Sequence, residues 1–182
     1  MGAVAWGEQR RELVLEAGND LFGDRGFHAV GMADIGEAAG ISGPGVYRHF
    51  PSKQALLETL LDRTMDRMLA TASGIDDLAT LIDAHVDLVV RDQALISVWV
   101  REQRTLAEST RQSLRTRMRT YEVTWRSAVR ACRPELDEPE LALTVGAALA
   151  LLNASSLIES ALSPERRAAI LRKQARAALL SA

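Results

Sequence analysis

One cysteine, Cys132, stands alone in 182 residues, which excludes an internal disulfide and any cysteine-based metal cluster. Aromatic residues make up only 4% of the chain, and with 12 glycines and 5 prolines there is no low-complexity tract. No internal repeat is visible. Charge of one sign is also missing, since the net charge is −2. Up to Arg63 there are six Lys/Arg against nine Asp/Glu, so the broad basic footprint usual in nucleic-acid binders is absent. Any positive face must be local, built from helix N-termini and a few well-placed cations. The longest apolar run, Leu141 to Leu152, contains Thr144 and falls short of the ~20 residues a bilayer requires. Met1 to Gln9 has no basic segment followed by an apolar core, so no signal peptide is expected. A cytoplasmic protein without a membrane partner is the expectation. Catalytic patterns are missing too. There is no Gly-x-Ser-x-Gly turn and no phosphate-cradling loop, and His28, His49 and His85 are scattered. No enzyme activity, cofactor or metal is therefore expected.

What is present is helical spacing almost everywhere. Hydrophobic residues reach 47% and charged ones 25%, ordinary for a globular protein. Period-two alternation is nearly absent, so the fold class is all-α. Helices are expected over about 7–23, 32–39, 43–50, 52–72, 76–90, a short stretch around Ile96 to Val100, 108–131, 138–159, and from Pro164 onward. Arg25-Gly26 closes the first, glycine accepting a left-handed cap cheaply. Pro134 stops the seventh, in which Leu114, Met118, Tyr121, Trp125, Ala128 and Cys132 form a seam with period 3.5. Cys132 is read there as a small buried hydrophobe. Arg111, Arg115 and Arg119 occupy another face, read as solvated and supported by Glu108 and Glu122.

One stretch organises the rest, Gly40 to Lys53. A short amphipathic segment precedes it. Then come a Gly turn, a cap at Ser42, a brief helix with Pro44 in its first turn, and Pro51, which ends that helix. Two short helices joined by a tight Gly-containing turn are the layout of a helix-turn-helix. Gly43 and Gly45 make the second helix intrinsically weak, so Val46 and Phe50 must hold it by packing. Tyr47, Arg48 and His49 suit phosphates and base edges. Tyr47 and Lys53 are assigned to phosphates and Arg48 to a guanine edge. His49 either bonds a phosphate or caps its helix.

Ala17 and Phe22, Arg25-Gly26-Phe27, Ile35 to Ser42, Val46 to Phe50 and Ser52 to Leu57 together resemble the N-terminal domain of the TetR family of bacterial transcriptional regulators. The combination Tyr47-x-His49-Phe50-x-Ser52-Lys53 is the most specific part. Members often carry Lys at the place of Gly43 and Thr or Ser at that of Gly45, so two phosphate contacts are missing here. The resemblance implies an N-terminal three-helix helix-turn-helix DNA-binding domain, residues 1–51, and a C-terminal helical ligand-binding and dimerisation domain, residues 52–182. It implies a homodimer on a palindromic double-stranded DNA operator, acting as a ligand-responsive repressor. DNA contact then falls to Ser42, Gly43, Gly45, Tyr47, Arg48, His49 and Lys53.

A small hydrophobic effector is expected against Met65, His85, Trp99, Gln103, Tyr121, Trp125 and Asn153, an apolar set with a few converging polar groups. The last two helices of each subunit would form a four-helix dimer bundle. The apolar eighth helix independently asks for such a partner, since a helix apolar all round must be buried on all sides. Leu141, Val145, Ala148, Leu152, Ile170, Gln174 and Ala178 are the candidate interface residues. The long fourth helix, which starts beside the motif, is the expected route from ligand to DNA. The alternative is a helical small-molecule binder or small enzyme with a vestigial helix-turn-helix.

Overall fold

The computed structural model describes the backbone of residues 2–181 and the side chains of residues 6–181. Among them are nine α-helices, two short 3-10 turns and no strand. The helices are α1 (Gly2–Arg25), α2 (Met32–Ala38), α3 (Gly43–His49), α4 (Lys53–Ala72), α5 (Leu78–Arg91), α6 (Gln93–Glu102), α7 (Glu108–Cys132), α8 (Glu138–Ala154) and α9 (Pro164–Leu180). The 3-10 turns, Gln103–Thr105 and Ser155–Leu157, tighten the exits of α6 and α8.

The helix ends follow from their chemistry. Ser52 Oγ accepts from Ala55 N at 3.1 Å, Asp77 caps α5 through Thr80 N at 2.8 Å, and Asp137 and Glu140 form a reciprocal capping box on α8. Gly31, where a Ser or Thr is expected, is served from the other side. Its amide donates to Asp34 Oδ2 at 2.6 Å, so the acid three residues on performs part of the cap. Gly26 takes φ +80° and closes α1 through Gly26 N to Phe22 O at 3.0 Å.

α1, α2 and α3 form a compact head against the start of α4. Two close approaches fix it. A Cβ at Gly18 would lie 2.5 Å from Leu56 Cδ2, so α1 and α4 cross almost in contact there. A Cβ at Gly36 would lie 2.8 Å from Ile41 O, so glycine is what lets the α2–α3 turn fold back on α2. Val46 and Phe50 are buried beneath α3. Each such side chain contributes about 1.5–3 kcal/mol, enough to hold a helix with two glycines.

The hydrophobic core is continuous from Val14 in the head to Leu179 in α9. α4 packs on α5 and α7, α5 on α9, α8 on α7 and α9, and α1 on α6. The segment Glu138–Leu157 is long and apolar enough to cross a membrane, yet 44% of its apolar window is buried against its neighbours within the chain.

The expected interface residues divide by helix, the four on α8 turned inward and the three on α9 outward. Leu141, Val145, Ala148 and Leu152 lie at spacing 4, 3, 4 on the inward seam and are buried within the chain. The outward residues of α8 are Leu143, 74% exposed, Ala147 and Leu151. They continue into Ile158, 63% exposed. Ile170, Gln174 and Ala178 of α9 do face outward. Ile170 and Gln174 flank a shallow apolar groove with Leu151, Ile158 and Leu162. Cys132, expected in the α7 seam, is exposed. It is the last residue of its helix, where a 3.6-residue turn has drifted off a 3.5-residue stripe.

Candidate nucleic-acid interface and effector cavity

The stretch Ile41 to Ala55 contains no acid. α3 presents Tyr47, 55% exposed, and Arg48 to solvent, with His49 half-buried beside them. Ser42 sits at the N-cap position of α3, but its hydroxyl makes no capping bond and stays exposed, free for an external acceptor. The two glycines differ. A Cβ at Gly43 would meet nothing within 4 Å, whereas one at Gly45 would lie 2.7 Å from Ile41 Cγ2. Gly45 is therefore a packing position that seats α3 on its turn, and only Gly43 leaves open space above the helix.

Lys53 is turned inward. Its Nζ donates to Phe27 O and to Val30 O, each at 2.7 Å, and lies 4.3 Å from the centre of the Phe27 ring. Two of its three donors are thus spent tying the start of α4 to the α1–α2 corner, a second role beside the phosphate role that its place in the motif suggests. A cation unremarked in the sequence also stands near the end of α3. The Arg11 guanidinium lies 4.8 Å over the Phe50 ring. The acidic surplus of the head is partly committed. Glu12 takes two hydrogen bonds of 2.6 Å from Arg63, which hold its carboxyl below the usual range, and Asp34 is spent on Gly31.

The same α1–α2 corner is gripped from the other side by α6. The buried carboxylate of Glu102 accepts from Phe27 N at 3.0 Å through Oε1 and from Thr105 Oγ1 at 3.1 Å through Oε2. Arg101 Nη1 donates to Gly23 O at 2.8 Å. The head is therefore fastened to the remaining helices at the C-terminal turn of α6 as well as through α4.

That turn of α6 is also one wall of a cavity of about 510 Å³, which opens to solvent between α6, α7 and α8. Trp99, Gln103 and Asn153, expected as ligand residues, line it. Met65, His85, Tyr121 and Trp125 do not, since all four are packed in the core behind the wall. Three of those four form one buried polar knot. Tyr121 Oη lies 2.6 Å from His85 Nδ1, and His85 Nε2 lies 3.1 Å from Asn153 Oδ1. Trp125 meets the His85 ring edge-on at 5.6 Å. Burial pushes the His85 imidazole down to about 4, with the Asn153 hydrogen bond opposing, and it raises the Tyr121 hydroxyl. The neutral ring carries one N–H, and Asn153 Oδ1 can only accept. The proton therefore sits on Nε2, and Tyr121 donates to Nδ1.

No residue of α4 lines the cavity. α4 reaches this space only through α6 and α7, on which it packs, whereas α6 lines it directly. Arg115 and Arg119 are exposed, as the reading of a solvated ridge expects, and with the half-buried Arg111 they also border the cavity. Opposite them α8 places Gly146, Ala150 and Ala154 at the same four-residue interval. The small residues open the space and the arginines border it. Only the pairing of the two helices reveals this.

Residues 14–60 match the model of bacterial regulatory proteins of the tetR family, and residues 71–157 match that of the tetracyclin repressor-like C-terminal domain. The HTH-type transcriptional activator FasR of Mycolicibacterium smegmatis is 33% identical over 93 residues, 47% of this chain and 42% of that protein. The HTH-type transcriptional repressor KstR2 of Mycobacterium tuberculosis is 30% identical over 112 residues, 57% of this chain and 56% of that protein. The matches thus span about half the length of these relatives. The KstR2 structure, described as that of a ketosteroid transcriptional regulator, superposes with a TM-score of 0.75 at 20% identity, covering 93% of both chains. The structure of AibR in complex with isovaleryl coenzyme A and operator DNA also gives 0.75, at 22% identity, over 91% of this chain and 97% of that one. These superpositions concern the fold.

Proposed function

The chain belongs to the TetR family of bacterial regulatory proteins, and from that premise we propose that it is a dimeric, DNA-binding transcriptional regulator whose grip on a palindromic operator depends on a small molecule in the α6–α8 cavity. Residues 1–51 serve as the reading head, and residues 52–182 carry the cavity and the dimer contacts. The observation that carries this reading is the exposed, acid-free face of α3, with Tyr47, Arg48 and Ser42 free above a tightly packed turn. Arg48 reads a base edge, where a bidentate contact discriminates by ~1–3 kcal/mol, while Tyr47, Ser42 and Arg11 position the backbone. Two copies joined along the outward faces of α8 and α9 present two such helices, and their separation sets the half-site spacing.

The regulator is proposed to repress. FasR is named an activator and KstR2 a repressor, so a promoter–reporter assay with the selected operator decides the sign. An effector that is partly apolar suits the Trp99, Leu106, Leu114, Met118 and Leu149 lining. AibR, with its bound coenzyme A thioester, is the precedent for small molecule and operator meeting on one such fold. Occupancy is passed on at α6, whose last turn is shared between the cavity wall and the α1–α2 corner. A ligand shifts the head only as far as it binds one arrangement better than the other.

The test is selection from a random duplex library, followed by titration of the enriched sequence. A palindrome bound by two chains, with discrimination lost in Arg48→Ala, is the expected result. A library that enriches nothing leaves the chain as a small-molecule binder with a vestigial head.

A further inference from the structure

The lining of the α6–α8 cavity mixes two kinds of chemistry. Trp99 and Leu149 are apolar, and on α7 the apolar Leu114 and Met118 alternate with Arg111, Arg115 and Arg119, of which the last two are exposed at its rim. Three like charges at four-residue intervals are neighbours on one helix face and repel. Glu108 relieves two of them, pairing with Arg111 and, at 3.7 Å, with Arg115. Glu122, the acid in the lining, is paired with Arg126 at 3.4 Å. Arg119 has no carboxylate partner among the described residues, so positive charge stands unanswered beside an apolar space.

Gly146 is the second, independent sign. It lies inside α8, where glycine costs about 1 kcal/mol against alanine. A Cβ there would meet nothing within 4 Å, so no neighbour in the chain calls for the glycine. The space it leaves belongs to the cavity. Asn153 is the third. Its Oδ1 is engaged by His85, which leaves its amide N–H groups as the donors it can offer to the cavity.

We propose that this cavity takes an amphiphile with an anionic head, its apolar body lying over Gly146 between Trp99 and Leu149 and its carboxylate or phosphate on Arg119 and Arg115. A carbonyl near the junction would accept from Asn153. The volume of about 510 Å³ lies within the ~300–1,000 Å³ usual for small-molecule sites. The proposal rests on the reading of the cavity as an effector site and narrows it to one class of chemistry.

Calorimetric titration of the full-length protein with decanoate, decanoyl coenzyme A and decanol tests it. At least one of the two anions is expected to bind ten-fold or more tightly than decanol, with the advantage shrinking as salt rises. The tighter of the two anions identifies the head as carboxylate or phosphate. Arg119→Gln should remove that advantage and leave decanol binding unchanged. Gly146→Leu should abolish binding of all three while the melting temperature holds or rises, which separates a filled cavity from a misfolded chain. Decanol binding as tightly as both anions, no binding by any probe, or an Arg119→Gln protein that keeps its preference would overturn the proposal. Operator affinity measured on the same samples without probe distinguishes failure of the ligand class from failure of the regulator reading. If operator binding is intact and the anion preference absent, only the ligand class falls.

Discussion

Glu102 and Phe27 are 75 residues apart in sequence, yet the Glu102 Oε1 atom accepts the Phe27 backbone N–H at 3.0 Å. The carboxylate is buried, and its other oxygen is taken by Thr105, so both oxygens are committed. Glu102→Ala leaves a buried amide unpaired, a loss of about 1–3 kcal/mol. The melting temperature should fall by several degrees, and the Phe27 amide should lose protection from hydrogen exchange. If α6 transmits cavity occupancy, Glu102→Gln should retain most of the stability and ligand affinity while shrinking the effect of ligand on operator affinity. Equal ligand effects in Glu102→Gln and wild type would remove α6 as the transmitter.

Lys53 grips the same corner from α4, through Phe27 O and Val30 O. A phosphate-binding lysine and a corner-holding lysine predict different losses. Lys53→Met should lower the melting temperature and weaken binding to every DNA sequence. The slope of log K against log salt should stay unchanged, because no phosphate contact is removed. Arg11→Ala should do the reverse. Its guanidinium beside Phe50 sits at the edge of the reading face, so the slope should fall by about 1 with little effect on melting. Salt titrations of both variants on one operator decide between the two assignments.

Most helix boundaries were legible because they have a local cause, although α1 starts at Gly2 and not near residue 7, and α8 ends at Ala154 and not at residue 159. Ser52 and Pro164 announce starts, and Gly26 and Pro134 announce stops. The head was legible because its turn needs glycine and its motif is short and specific. What could not be read was direction. Lys53 fits a phosphate role by residue type and place, and only the folded corner shows which way its ammonium turns. α8 is apolar on nearly every side, so no polar stripe marks the face that turns inward. The seam Leu141, Val145, Ala148, Leu152 and the outward set Leu143, Ala147, Leu151 are equally hydrophobic in sequence. Arg115 and Arg119 of α7 are solvated as read, and only the small residues of α8 set opposite them show that they also border a cavity.

That ambiguity on α8 yields a sharp contrast. Leu143 is 74% exposed in the single chain, so Leu143→Glu should leave a folded protein with an ordinary melting curve. Light scattering after size-exclusion chromatography should nevertheless show a monomer, and operator affinity should collapse with the lost second head. Val145, two residues away, is fully buried. Val145→Glu forces an unpaired carboxylate into the core and should prevent folding outright. A Leu143→Glu protein that stays dimeric would place the interface elsewhere.

His85 gives the stability of the protein a sign with pH. Its folded value of about 4 lies below the ordinary 6.5, because the ring is wholly buried and its described partners, Tyr121 and Asn153, are neutral. Between those two values the unfolded chain holds a proton that the folded chain excludes. Stability is therefore complete above pH 6.5, falls as pH drops through the window, and levels off below about 4. The full difference corresponds to about 3 kcal/mol. Denaturant unfolding at pH 7.5 and pH 4.5 should show most of this loss in the wild type. In His85→Gln, whose amide does not titrate, the pH 7.5 stability should be lower because the knot is disturbed, and the further loss towards pH 4.5 should shrink by the greater part of that 3 kcal/mol. A wild type and a His85→Gln protein that weaken in parallel on acidification would show that the imidazole is not the group that titrates.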